Sequence, residues 1–216
     1  MTTIGFIGSG NIGTSVAKAA IANGYDVVMS NSRDPETLAE LVAELGEHAR
    51  AATAANAAAA GDFVVVTIPL KAINDVPVEP LAGKLVIDTN NYYSERDGQI
   101  DALDQQQNTS AGLLQDHLPT SHVVKAFNHI QALQILSTAT TTGTPGRRAL
   151  AIAGDDPESN TLVASFLDRI GFDAVDLGPL SESWRIQPGT TGYGPELTQA
   201  ELAAATANAV RPAPAG

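Results

Sequence analysis

The chain contains no cysteine. Disulfides, thiolate nucleophiles and cysteine-ligated metals are therefore excluded together. Basic residues are also scarce: 12 Lys and Arg stand against 24 Asp and Glu, a formal net charge of −12. That balance argues against nucleic acid or an anionic membrane as the main partner. Any site for a phosphorylated ligand has to be assembled locally. No stretch approaches the roughly 18 to 20 apolar residues of a membrane span. The first residues, MTTIGFIGSG, lack a basic segment, and their apolar run is short and broken by glycine. No signal peptide is expected, and a soluble, cytoplasmic protein is. What remains is 216 residues, 44% apolar and 17% charged, enough for one globular domain with a small appendage.

Apolar runs and helical stripes alternate along the chain. TIGFIG (3–8), YDVVMS (25–30), DFVVVTIP (62–69), GKLVIDTNN (83–91) and HVVKAFN (122–128) read as strands, with a short one near 49–52. Residues 11–24 read as a helix closed by Gly24, and Asp34-Pro35-Glu36 as the cap and first turn of a second over 35–45. The alanines of 53–61 favour a third helix that packs closely on a sheet. Lys125 is expected to alternate outward from its strand. After the Gly- and Pro-containing connection at 138–148 come a strand (149–156), a helix (156–171), a strand (172–178) and a helix (198–209). The tail VRPAPAG is expected to fray. The pattern predicts an α/β fold: a Rossmann-type, doubly wound parallel sheet over residues 1–140, with a small C-terminal α/β lobe over 141–216 serving the acceptor or dimerisation.

GSGNIG places glycines at 8, 10 and 13, after a strand and at the start of a helix. In that setting Gly8 makes the tight turn, Gly10 admits a pyrophosphate and Gly13 lets helix and strand approach. The helix N-terminus offers free N–H groups to phosphate. A strand that reads NAD usually ends on an acid that holds the ribose 2′-hydroxyl. Here the second strand runs into Asn31, Ser32 and Arg33, and Asp34 is committed to starting a helix. A hydroxyl and a guanidinium suit a 2′-phosphate, so the expected cofactor is NADP(H).

The ends of the later strands should complete the site. They bring in Thr67, Ile68 and Pro69, with Pro69 stopping its strand, then Asn90 and Asn91, placed to bind ribose or carboxamide. Asn128 and His129 follow the next strand and are expected to shape the pocket of a small-molecule redox acceptor. A lone histidine there is a proton donor only if something orients it, and no catalytic residue is assigned. HLPTSH (117–122) with His129 lacks zinc spacing, so no metal is expected. Ser181, Ser183, Trp184 and Arg185 suit either a lid or a dimer contact. No nucleophile triad or carboxylate pair stands out, which fits hydride transfer between two rings, where alignment matters most.

The segments IGFIGSGNIGTSVAKAAIANGYDVVMSNSR, VVVTIP and GPLSES resemble the F420-dependent NADP oxidoreductases, and the likeness spans nearly the whole chain. It implies a Rossmann domain, a homodimer, hydride exchange between NADPH and the deazaflavin F420, and phosphate contacts at Ser9, Gly10, Asn11, Ile12, Ser32 and Arg33. Ile68 and Pro69 fall on the nicotinamide side. Archaeal members carry a His-Thr-Ile-Pro-type segment where this chain reads FNHIQA. The DTNN…VVKAFN pattern is instead similar to the NADPH-binding domain of six-transmembrane metalloreductases and their soluble bacterial relatives, which implies a kept dinucleotide site with other acceptors, such as a flavin. The alternatives are a small NADPH-dependent reductase of a carbonyl or imine, and a non-catalytic NADP-binding module. β-Hydroxyacid dehydrogenases and imine reductases share the N-terminal pattern but need a large helical C-terminal domain.

Overall fold

Residues 3–7 show no polar alternation, because their strand is covered on both faces. In the computed structural model, which describes residues 1–211, they form β1 (Thr3–Ile7) at the middle of an eight-stranded sheet. On one side lie β2 (Asp26–Ser30) and β3 (Ala49–Ala51); on the other come β4 (Phe63–Val66), β5 (Leu85–Asp88) and β6 (His122–Lys125), all parallel. β7 (Ala149–Gly154) meets β6 antiparallel, and β8 (Asp173–Asp176) runs parallel to β7. The order is β3-β2-β1-β4-β5-β6-β7-β8. The expected Rossmann-type sheet forms, and its last β-α-β unit runs against the rest.

Helices cover both faces. α1 (Asn11–Ala22) buries Val16, Ala17 and Ala20 against Ile4, Phe6 and Val65. Gly24, at φ +82°, closes it as expected. The second helix begins as a 3₁₀ turn at Pro35–Leu38 before α2 (Ala39–Leu45). Asp34 precedes it, but its carboxylate makes no cap bond; Thr37 Oγ1 donates to the Asp34 carbonyl instead, at 2.7 Å. α3 (Ala54–Ala60) approaches β1 closely: a Cβ on Gly5 of β1 would lie 2.3 Å from the Ala57 carbonyl oxygen. Lys84 Nζ donates to the carbonyls of Ala58, Ala59 and Gly61 at 2.7–2.9 Å, satisfying the open end of α3.

Two short helices, α4 (Ser94–Asp97) and α5 (Asp101–Asp104), lead to α6 (Ser110–His117), and α7 (Ala132–Ser137) follows β6. α8 (Pro157–Ile170) is capped by Asp156, which accepts from Ser159 N, and packs Phe166 on Tyr25 and Phe63. α9 (Gln199–Ala207) starts from a capping box of Thr198 and Glu201. No described helix is long and apolar enough to cross a membrane. The frayed tail expected from residue 210 onward falls mostly on 212–216, outside the described residues.

Three readings are corrected. β4, β5 and β6 each end three residues earlier than their predicted runs, because the chain leaves the ladder as it enters the cleft. Pro69 therefore does not stop β4, which ends at Val66; it caps the 3₁₀ turn Leu70–Asp75. Lys125 does not face outward. β6 lies inside the sheet with both faces covered, and Lys125 is buried in an ion pair with Asp88, its register partner on β5, at 2.9 Å.

Candidate active site

The glycine loop between β1 and α1 divides its glycines by role. Gly8 sits at φ +111°, and a Cβ there would approach the Thr67 carbonyl oxygen to 2.5 Å. A Cβ on Gly13 would lie 2.7 Å from the Gly8 carbonyl oxygen and 2.6 Å from Thr67 Oγ1. Thr67 Oγ1 itself donates to Gly8 O at 3.2 Å, so the end of β4 fixes the loop. Gly10 differs: a Cβ there would meet nothing within 4 Å, because it faces the cleft. The first intrahelical bond of α1 runs from Thr14 N to Gly10 O, at 2.9 Å. The N–H groups of 11–13 are therefore not consumed inside the helix and give the cleft a donor-rich floor beneath Asn11 and Ile12. Ser9 is half-buried within the same loop.

At the end of β2, Ser30 is buried and donates to Phe6 O at 2.7 Å, which pins the strand. Asn31 then makes a tight side-chain turn: its Oδ1 accepts from Arg33 N at 2.9 Å and its Nδ2 donates to Thr37 Oγ1 at 2.9 Å. The Asn31 amide is thus spent on shape. Its product is Ser32 and Arg33 presented together, both exposed.

The far wall is built from buried side chains. Lys125 Nζ donates to Asp88 Oδ2, to Ser110 Oγ at 3.0 Å and to the Asn90 carbonyl, while Asp88 Oδ1 accepts from Asn90 N at 2.8 Å. Burial lowers the Lys125 pKa, and Asp88 opposes that shift. The ion pair therefore holds the backbone of Asn90 from both sides. The Asn90 amide is buried with neither polar atom partnered in the protein. Asn91 Nδ2 donates to Asn128 O at 2.6 Å, and Asn128 Nδ2 donates to Asn91 Oδ1 and to Ile186 O.

Phe127, between these groups, is held at φ +61°, a costly conformation for a bulky residue. It turns the chain so that His129 enters the wall. His129 Nε2 accepts from Ala151 N at 3.0 Å, which leaves Nδ1 to donate to Asn128 Oδ1 at 3.2 Å. Burial first, then the charges of Arg148 and Lys125, pushes its pKa down to about 3. The ring is neutral, with both nitrogens engaged.

A cleft of about 600 Å³ joins these parts. Of the sequence-predicted residues, Gly10, Asn11, Ile12, Thr67, Ile68, Pro69, Asn90, Asn91, Asn128 and His129 line it. Gly8, Ser9 and Gly13 lie within the glycine loop, and Asn31, Ser32 and Arg33 stand at the end of β2, outside the lining. Thr89 and Phe127, in the strand-end segments expected to complete the site, line it as well, whereas sequence reading missed Tyr93, Arg96, the approach to α7 at Ile130–Ala132, and Tyr193 with Gly194. Ser181, Ser183, Trp184 and Arg185 do not line the cleft. They belong to a 3₁₀ turn in which Ser183 is buried and Arg185 bonds Glu182 and the Thr206 carbonyl.

The fold and the loop define a Rossmann-type sheet with a glycine loop of the dinucleotide-binding kind. Residues 3–92 match the family described as NADP oxidoreductase, coenzyme F420-dependent. A protein of Sinorhizobium meliloti described only as hypothetical, SMa0349, is 30% identical over 92% of this chain and 94% of its own, with a TM-score of 0.75. The chain belongs to the same family as that protein. A structure from Arthrobacter sp. FB24, provisionally described as an F420-dependent NADP reductase, is 24% identical over 85% of this chain and 87% of its own, with a TM-score of 0.73, a likeness of fold. The metalloreductase STEAP3 of Rattus norvegicus is 26% identical over 186 residues, 85% of this chain and 35% of that protein. The chain spans about a third of the length of the curated relatives it matches.

Proposed function

We propose that this protein is an NADP(H)-dependent oxidoreductase that passes hydride between the nicotinamide and a deazaflavin (F420) or flavin-type acceptor. The observation that carries the cofactor choice is the end of β2, where the Asn31 turn presents Ser32 and Arg33 side by side and exposed. A carboxylate there would repel a 2′-phosphate; a hydroxyl and a guanidinium hold it by charge-assisted bonds. The open space at Gly10 and the donors of α1 fit a pyrophosphate. Ile12, Ile68 and Pro69 form an apolar bed for the nicotinamide. Bound NADP(H) supplies the hydride. The chain's own residues position the rings and exclude water.

The neutral, fully engaged His129 supports a ring acceptor over a carbonyl or imine. Its one N–H is engaged with Asn128 and its other nitrogen accepts from Ala151 N, so His129 is not placed to protonate a developing alkoxide. Asn128 and His129 are assigned to the shape of the acceptor pocket. The test is spectrophotometric: NADPH oxidation by the pure protein with F420, FMN, and a panel of ketones and cyclic imines. Reduction of F420 or FMN supports the reading. Turnover confined to the ketones or imines, or tight NADPH binding with no turnover at all, overturns it.

A further inference from the structure

Tyr93 and Tyr193, 100 residues apart in sequence, meet in the cleft wall with their hydroxyl oxygens 2.7 Å apart. Tyr93 follows β5; Tyr193 lies on the loop that leads to α9. One phenol donates to the other, so the pair consumes one of its two O–H donors and leaves the second free for another partner. The contact is not needed to hold the loop. Gly194 N donates to His129 O at 3.2 Å, Tyr193 N to Thr190 O at 3.2 Å and Thr191 Oγ1 to Ala205 O at 2.7 Å.

The polar side chains beside the pair, Asn91, Asn128 and Arg96, are engaged elsewhere. Asn91 and Asn128 bond each other, and Arg96 directs Nε and Nη2 to Asp97 and to the Asn91 carbonyl. The Arg96 guanidinium also lies 5.0 Å from the Tyr93 ring centroid and steadies its plane. Burial, then the bond to Tyr93, raises the pKa of Tyr193, so its hydroxyl stays protonated. Two aromatic faces and one spare O–H thus share the cleft with the apolar bed of Ile12, Ile68 and Pro69.

We propose that Tyr93 and Tyr193 form the hydrogen-bonding subsite of the second substrate: the spare phenol O–H donates to a carbonyl oxygen on the edge of a planar heterocycle. The inference deepens the proposed hydride-acceptor reading and rests on it. The pair recognises; it does not supply the proton.

The chain has four tyrosines, so 3-fluorotyrosine labelling gives four ¹⁹F resonances, assigned through Tyr93→Phe and Tyr193→Phe. F420 and FMN are titrated separately into the labelled protein with NADP⁺ present. The expected result is movement of the Tyr93 and Tyr193 resonances while Tyr25 and Tyr92 stay still. Each Phe variant should weaken acceptor binding about threefold to tenfold, the loss of one neutral hydrogen bond, with NADPH affinity unchanged. Movement with F420 alone, or with FMN alone, supports the subsite and identifies its ring. Movement without any hydride transfer would sink the redox reading and keep the subsite. Turnover with both resonances unmoved, or Phe variants that lose thermal stability but bind the acceptor as the parent does, would overturn the subsite and leave the pair a strap.

Discussion

The two walls of the cleft are built on opposite principles. The glycine-loop wall is made of backbone, the loop and the start of α1, with Ser32 and Arg33 held out beyond its edge by a single asparagine turn. The far wall is made of mostly buried side chains that, apart from the unpartnered Asn90 amide, satisfy one another, with Lys125, Asp88, Asn91, Asn128 and His129 all tied to backbone groups. Changes to the first should alter binding and spare the fold. Changes to the second should alter the fold before they alter binding.

The largest effect is expected at the buried ion pair. Lys125→Met strands the Asp88 carboxylate without its cation, which costs about 3–5 kcal/mol. Urea denaturation should show that loss, and adding Asp88→Asn should recover part of it. A Lys125→Met protein as stable as the parent would dissolve the distinction between the walls.

Next comes Gly10→Val. Its side chain enters open space, so the thermal midpoint should hold within a few degrees. NADPH binding should weaken by at least about 100-fold, because the pyrophosphate approach is filled. Gly13→Ala sharpens the contrast: its Cβ meets the Gly8 carbonyl at 2.7 Å, so this loop change should destabilise. Calorimetry and isothermal titration on both variants separate the two cases.

Arg33→Ala removes a charged hydrogen-bond partner from an exposed turn. Loss of about 1.5–3 kcal/mol predicts a roughly 10- to 150-fold higher NADPH dissociation constant, with NADH nearly unchanged. Equal losses for the two cofactors would show that Arg33 does not read the 2′-phosphate.

The last effect is a slope, small at neutral pH and growing only as the medium is acidified. The His129 pKa is depressed to about 3 in the folded protein, while the unfolded chain takes up that proton near 6.5. Between those values the unfolded state binds the extra proton, so stability falls as pH falls, at up to about 1.4 kcal/mol per pH unit. His129→Asn should flatten the stability profile between pH 6 and 4. It should also leave the pH profile of kcat without a lost limb, with only a modest change in acceptor KM. A vanished limb near pH 6–7, together with a rate drop of about 10³-fold, would make His129 an acid–base catalyst and move the acceptor towards a carbonyl or imine.

The same division explains what was legible in the sequence. Strands β1, β2 and β4–β6 announce themselves as β-branched runs, and the glycine loop as spacing, because both depend on neighbours in the chain. Lys125 was misread because strand alternation assumes a solvated face, and β6 has none. The 94–117 segment went unread although α6 carries its signals: Thr109 accepts from Gly112 N at the cap, and Ala111, Leu114 and Leu118 are buried at helical spacing. Tyr93 and Tyr193 left no local trace. Their pairing exists only once the loop before α9 is moored to His129, a relation between distant residues that no window of sequence contains.

The strand order has a consequence for how the molecule is made. From β1 onward through β4, β5, β6, β7 and β8, every later strand joins at the same growing edge, while β2 and β3 complete the other side early. A chain emerging from the ribosome N-terminus first can lay down these strands without ever opening a finished pair. The binding loop and the Ser32–Arg33 turn are assembled first, and the mooring that brings Tyr193 to Tyr93 comes last. A nascent protein on this path would acquire its grip on the dinucleotide before it could recognise a second substrate.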